Sequence, residues 1–184
     1  MTAIASRSQL RMVYLRYALV TVPLVLLLGL VSSRISDPGY GNRWFAALQK
    51  PEAMPSASLF PVAWILLYIL LGLAVALILH ARGARGRGVA ISLFVLQLLL
   101  NYAWSPLFFA LHEVRAALVV IVAMLVTAAV TTILFAPIRK AAALMMLPYL
   151  AWLGFALWLN FQIMVLNPNA ESLVPVAGSA NISL

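Results

Sequence analysis

Apolar residues in this chain come in five nearly unbroken runs, not in the one-sided or alternating patterns of a water-soluble domain. The runs cover about residues 17–31, 61–79, 89–111, 116–136 and 142–166. A helix rising 1.5 Å per residue needs about 20 apolar residues to cross the hydrocarbon layer, so the pattern predicts five transmembrane helices. The expected fold class is an all-α membrane protein. Residues 1–167 should form one five-helix domain, and 168–184 a polar, disordered C-terminal tail. The first run is the shortest and follows Arg7, Arg11 and Arg16, so it also resembles a signal peptide. A retained span is the better reading, because the charges of the following chain make sense only with five crossings. Pro23 within it is tolerated in a membrane, where neighbouring helices satisfy the freed carbonyl.

Residues 34–60 form a long polar connection between the first two spans. Ser36-Asp37-Pro38-Gly39 is a turn signal. Asn42 is placed to cap a short amphipathic helix through Trp44, Phe45 and Leu48, which must end before Pro51. Loops this long in a compact domain are usually functional. The apolar Trp44, Phe45, Leu48 and Met54 predict that this one packs down as a lid. Among the span ends, Pro61 is well placed to start the second helix and Pro106 to kink the end of the third.

Composition supports the lipid reading. The 184 residues are 65% hydrophobic and 9% charged, with a mean hydropathy of +1.07. Soluble domains carry about 25% charged residues, so these few could not cover the surface against water. The net charge of +8 is no nucleic-acid signal, because the basic residues lie in short clusters beside the spans. Arg7, Arg11, Arg16, Arg82, Arg85, Arg87, Arg139 and Lys140 fall on one side of the alternating topology. Arg34, Arg43, Lys50, Arg115 and all four acids, Asp37, Glu52, Glu113 and Glu171, fall on the other. The positive-inside rule then puts the N-terminus in the cytoplasm, with the first loop and the C-terminus outside. The absence of cysteine excludes disulfides, thiolate catalysis and Cys-ligated metals.

No Asp, Glu, Lys or Arg falls within any of the five runs, which disfavours an ion-coupled carrier. His80 and His112 lie at span ends on opposite sides and cannot share a metal. No nucleophile triad, phosphate loop or metal-ligand spacing is present. What the spans do hold is aromatic and amide stripes at helical spacing. Gln97, Asn101, Trp104 and Phe108 form one; Tyr149, Trp152, Ala156 and Asn160 a second; Trp64, Tyr68, Gly72 and Ala76 a third. Amides at mid-membrane need partners, so these faces turn inward. Two readings of them stand level on spacing alone. In one, the amides and Gly72-xxx-Ala76 serve helix packing; in the other, the stripes wall a ligand cavity with a few orienting polar groups. The fourth run has only Phe135 as an aromatic and reads as a peripheral, lipid-facing helix, with Thr127, Thr131 and Thr132 bonded to backbone carbonyls.

Four motifs in order resemble the translocator protein family, TspO/MBR. They are Trp44-Phe-Ala-Ala-Leu-Gln-Lys-Pro51, then Phe60-Pro-Val-Ala-Trp64 with Tyr68. Gln97-Leu-Leu-Leu-Asn101-Tyr-Ala-Trp104-Ser-Pro-Leu-Phe-Phe109 and Pro148-Tyr-Leu-Ala-Trp152-Leu-Gly-Phe-Ala156-Leu-Trp-Leu-Asn160 complete the set. The resemblance spans about residues 12–167. It implies a five-helix bundle, often a homodimer, in a bacterial inner membrane, with a pocket closed by the first loop. It further implies a receptor or sensor for tetrapyrroles such as porphyrin, and for drug-like apolar ligands, with no obligatory cofactor. A light-dependent porphyrin-degrading enzyme and a passive porphyrin or lipid transporter are the alternatives it brings. Carried over residue by residue, the ligand-binding positions would be Trp44, Phe45, Trp64, Tyr68, Asn101, Trp104, Phe108, Trp152, Phe155, Ala156 and Asn160. The family's loop pattern Lys-Pro-x-Trp-x-Pro-Pro reads here Lys50-Pro51-Glu52-Ala53-Met54-Pro55-Ser56, losing a tryptophan and a proline. The animal members' sterol motif after the fifth span is missing, so cholesterol is not the expected ligand.

Overall fold

The computed structural model describes residues 7–173. Five long helices, each apolar enough to cross a membrane, make up the body: α1 (Arg7–Ser36), α3 (Leu59–His80), α4 (Arg87–Ser105), α5 (Val114–Ile138) and α6 (Lys140–Leu166). The short α2 (Arg43–Ala47) lies in the first connection. The protein is an integral membrane protein, as the hydropathy of these five helices requires. Each span runs a few residues past its apolar core, α1 most of all, reaching from the Arg11–Arg16 segment to Ser36. Polar residues at helix ends keep helical backbone bonds while their side chains reach the interface, so hydropathy alone underestimates length.

Packing places the helices in the cyclic order α1, α3, α6, α5, α4, with α4 returning to α1. Lipid-facing positions such as Leu19, Val119, Ile133 and Leu144 are exposed and apolar. Burial of apolar surface supplies no drive between helices in lipid, so close approach and hydrogen bonds must fix this order. Both are present. A Cβ at Gly72 would stand 2.7 Å from Val22 Cα, so only glycine lets α3 seat against α1 there. Beside it the Thr21 hydroxyl donates to Gly72 O at 2.7 Å. Between α1 and α4, the Ser32 hydroxyl donates to Tyr102 O at 2.7 Å, the Tyr102 hydroxyl to Val25 O at 2.8 Å, and the Ser36 and Ser105 hydroxyls share a 2.7 Å bond.

The end of α4 widens into a π-helical turn at Pro106–Ala110. Pro106 brings no N–H to the ladder, and Leu111 N donates five residues back to Pro106 O at 3.0 Å. The expected kink is therefore a local widening that brings Phe108 and Phe109 inward, both buried. The α5 helix is peripheral in one sense only. Its outer face is exposed, and Thr127, Thr131 and Thr132 donate to carbonyls one turn back at 2.7–2.8 Å. Its inner face is fully packed against α4 and α6, with Phe135 stacked on Phe94 at 5.9 Å.

Gln97 departs from the stripe it shares with Asn101 in sequence. It is fully buried in the main core, and neither amide atom has a hydrogen-bond partner among the described residues. An unpaired buried amide costs about 1–3 kcal/mol, whereas an apolar side chain of the same shape does not. Gln97→Met should therefore raise the thermal midpoint in detergent. A lowered midpoint would show that Gln97 is paired in the membrane.

Candidate ligand-binding site

The lid is built as the sequence pattern suggested. Asn42 caps α2, its Oδ1 accepting from Phe45 N at 3.0 Å, while its Nδ2 donates to Phe109 O at 3.0 Å, tying the lid to the end of α4. Trp44, Phe45 and Leu48 are buried. Trp44 packs edge-on against Phe108 at 5.5 Å and stacks on the His112 ring at 4.4 Å. His112 itself holds φ +59°, a left-handed conformation uncommon for a non-glycine residue, in the tight turn between α4 and α5. Lys50 closes the C-terminal end of α2 by donating to Ala46 O and Leu48 O at 3.2 and 3.0 Å. Its ammonium lies over the Phe45 ring at 4.8 Å, and partial burial lowers its pKa from the ordinary lysine value.

The residues just after α6 fasten this lid, among them Ala170, which the sequence assigns to a disordered tail. The Trp44 indole N–H donates to Ala170 O at 2.9 Å. Asn167 pairs with the Gln49 backbone in both directions, at 2.8 and 2.9 Å. Glu171 accepts from Arg115 N at 3.0 Å at the start of α5. The ordered chain thus extends to at least Leu173; the remainder of the expected tail, 174–184, lies outside the described residues.

Beneath the lid is a cavity of about 660 Å³, enclosed by α1, α3, α4 and α6 and roofed by residues of the first loop. Nine of the eleven positions singled out from sequence line it: Phe45, Trp64, Tyr68, Asn101, Trp104, Phe108, Trp152, Ala156 and Asn160. Trp44 and Phe155 do not. Trp44 is only 1% exposed and anchors the lid from behind, and Phe155 packs between Trp152 and Trp158 at 5.8 and 6.1 Å, away from the cavity. No α5 residue reaches the cavity wall.

Sequence reasoning missed the α1 side altogether. Gly29, Ser32, Ser33, Arg34 and Asp37 line the cavity, as do Phe60 and Ser105. A Cβ at Gly29 would run into the Tyr68 ring, so this glycine is what lets Tyr68 lie against α1. The signal was present as small residues at Gly29, Ser32 and Ser36, one inward stripe at the end of an otherwise Leu- and Val-rich helix.

Packing and cavity, the two readings of the amide stripes, turn out to coexist in the same side chains. The Tyr68 hydroxyl donates to Asn101 Oδ1 at 2.8 Å, and Asn101 Nδ2 donates to the Tyr149 hydroxyl at 3.1 Å. The Trp104 indole donates to Asn160 Oδ1 at 3.2 Å, and Asn160 Nδ2 to Val114 O at 3.1 Å. These bonds run across α3, α4, α6 and α5 in turn, so the amides tie the bundle while forming part of the wall. The aromatic walls are interlocked too. Trp64 meets Trp152 edge-on at 6.2 Å, Phe60 meets Trp152 at 5.7 Å, and Trp104 stacks on Phe108 at 5.2 Å. The Trp152 indole N–H is buried and donates to nothing among the described residues.

Comparisons with known proteins agree with this architecture. Residues 20–166 match the model of the TspO/MBR family. The chain is 36% identical over 148 residues to the tryptophan-rich protein TspO of Chlorobaculum tepidum, covering 80% of this chain and 93% of that one. It is 33% identical over 138 residues to protein CrtK of Rhodobacter capsulatus, covering 74% and 84%. With the human translocator protein it shares 36% identity over 127 residues, covering 68% and 75%. A lidded five-helix bundle, the four motifs in their walls and these matches together place the chain in the TspO/MBR family.

Proposed function

We propose that this protein is a receptor or sensor that binds a flat, apolar ligand of the tetrapyrrole class in the cavity beneath the first loop. The observation that carries the reading is the cavity itself. Its volume suits a drug- to cofactor-sized molecule. Its walls are the indoles of Trp64, Trp104 and Trp152 and the rings of Phe60, Tyr68 and Phe108. Such faces favour a planar aromatic guest, since offset and edge-on ring contacts each add to simple burial. The amides that could have oriented a guest are engaged elsewhere, Asn101 with the Tyr68 and Tyr149 hydroxyls and Asn160 with the Trp104 indole and Val114 O, which leaves shape and stacking as the main source of affinity.

The charge pattern supports an orientation with the Arg82–Arg87 turn and the Arg139–Lys140 turn on the cytoplasmic side of a bacterial inner membrane. The lid and cavity mouth then open on the outer side. Titration with protoporphyrin tests the binding reading. Wild-type protein in detergent should show saturable quenching of tryptophan emission with a shifted porphyrin absorption band. Ala156→Trp places an indole into the cavity from a buried wall position, and should weaken binding about tenfold or more in protein that still melts cooperatively. Non-saturable quenching, or unchanged affinity in a folded Ala156→Trp variant, would sink the assignment.

A further inference from the structure

The polar groups of the cavity divide into those already paired and those that are not. Tyr68, Asn101, Trp104 and Asn160 form the bonds described above. The Ser32 and Ser105 hydroxyls are bonded to Tyr102 O and Ser36. At the mouth, Arg34 on the last turn of α1 is exposed and lines the cavity, and no hydrogen-bond or ion-pair partner for it occurs among the described residues. Asp37 stands on the same rim and forms no ion pair with it. The nearby ammonium of Lys50 is engaged with the carbonyls of Ala46 and Leu48. Arg34 is therefore a cation at the edge of an aromatic slot with no protein group to answer it among the described residues.

We infer that Arg34 selects ligands carrying a carboxylate at one edge of an otherwise apolar plate. This rests on the reading that the cavity binds such a plate. A guest seated among Trp64, Trp104 and Trp152 leaves its outer edge at the mouth, where the guanidinium presents a planar fork of donors. That fork matches the two oxygens of a carboxylate. Apolar walls on one side reduce the screening that makes fully exposed ion pairs weak. The competing account is that Arg34 only marks the interface, as arginines at span ends commonly do. In that case its removal would affect charged and uncharged guests alike.

Protoporphyrin as the free diacid and as its dimethyl ester separates the two, because the esters keep the plate and remove the charge. Wild-type protein should bind the diacid about tenfold more tightly than the ester, and this preference should shrink as salt rises. Arg34→Gln should abolish the preference while leaving the ester affinity and the thermal midpoint unchanged, and Arg34→Lys should restore part of it. Equal affinity of the wild type for both compounds, or equal loss of both in Arg34→Gln, overturns the assignment. Failure of both compounds to bind the wild type overturns the reading of the cavity itself, and the role of Arg34 with it.

Discussion

Replacing Asn101 by Leu should be among the most destabilising single changes in this protein. Its amide accepts from Tyr68 on α3 and donates to Tyr149 on α6, so one side chain on α4 holds three helices. Tyr149 is fully buried, and Tyr68 lies against α1 at the cavity wall. The change leaves two hydroxyls without their partner, at about 1–3 kcal/mol for each group left unpaired away from water. The expected observation is a large drop in the thermal midpoint in detergent, with the proposed porphyrin binding weakened because the Tyr68 wall is released. Adding Tyr68→Phe and Tyr149→Phe should recover most of the stability, since removing every member of a buried network costs far less than removing one. A single Asn101→Leu variant as stable as wild type would show that the network does not hold these helices.

Gly72→Leu should come close to it in effect, by a different mechanism. The new Cβ meets the backbone of Val22, which cannot rotate away as a side chain would, and α1 must shift from α3. Overpacking of this kind costs about 1–3 kcal/mol, and the bond from Thr21 to Gly72 O is strained in addition. Because α1 also carries Gly29, Ser32 and Arg34, the shift should distort the cavity and weaken the proposed ligand binding as well. Gly154→Leu is the control, since a Cβ there meets nothing within 4 Å. If both variants melt alike, glycine-mediated contact between α1 and α3 does not set the packing.

How far the site was legible follows from what each residue does. Trp64, Tyr68, Asn101, Trp104, Trp152 and Asn160 stand out because indoles, phenols and amides are conspicuous within apolar spans and must face inward. Trp44 is equally conspicuous and lies behind the lid, outside the cavity lining. Burial of an aromatic in a lid says nothing about which side of it faces the cavity, and the His112 ring and the Ala170 carbonyl it contacts come from distant segments. Phe155 follows from helix phase: it lies three residues after Trp152, close enough in angle to look inward but turned toward Trp158 and the lipid side. Gln97 shows the same limit, sharing a stripe with Asn101 yet lying fully buried and outside the cavity lining.

By itself the sequence determined the number of spans, the separation of basic from acidic ends, the Asn42-capped lid helix and the inward faces of α3, α4 and α6. Each of these depends on local composition or on residues within a few turns of one another, because lipid imposes hydrophobicity and internal backbone pairing on every span separately. Only the tertiary structure decided the cyclic order of the helices, the contribution of α1 to the cavity and the clasp of residues 167–171 on the lid. It alone showed that the wall amides are bonded to aromatic side chains and to the backbone of neighbouring helices, while Arg34 at the mouth has no partner among the described residues. These features arise from contacts between residues tens of positions apart, chosen by close approach and hydrogen bonding rather than hydrophobicity, and such choices leave no periodic trace along a chain that is apolar nearly everywhere.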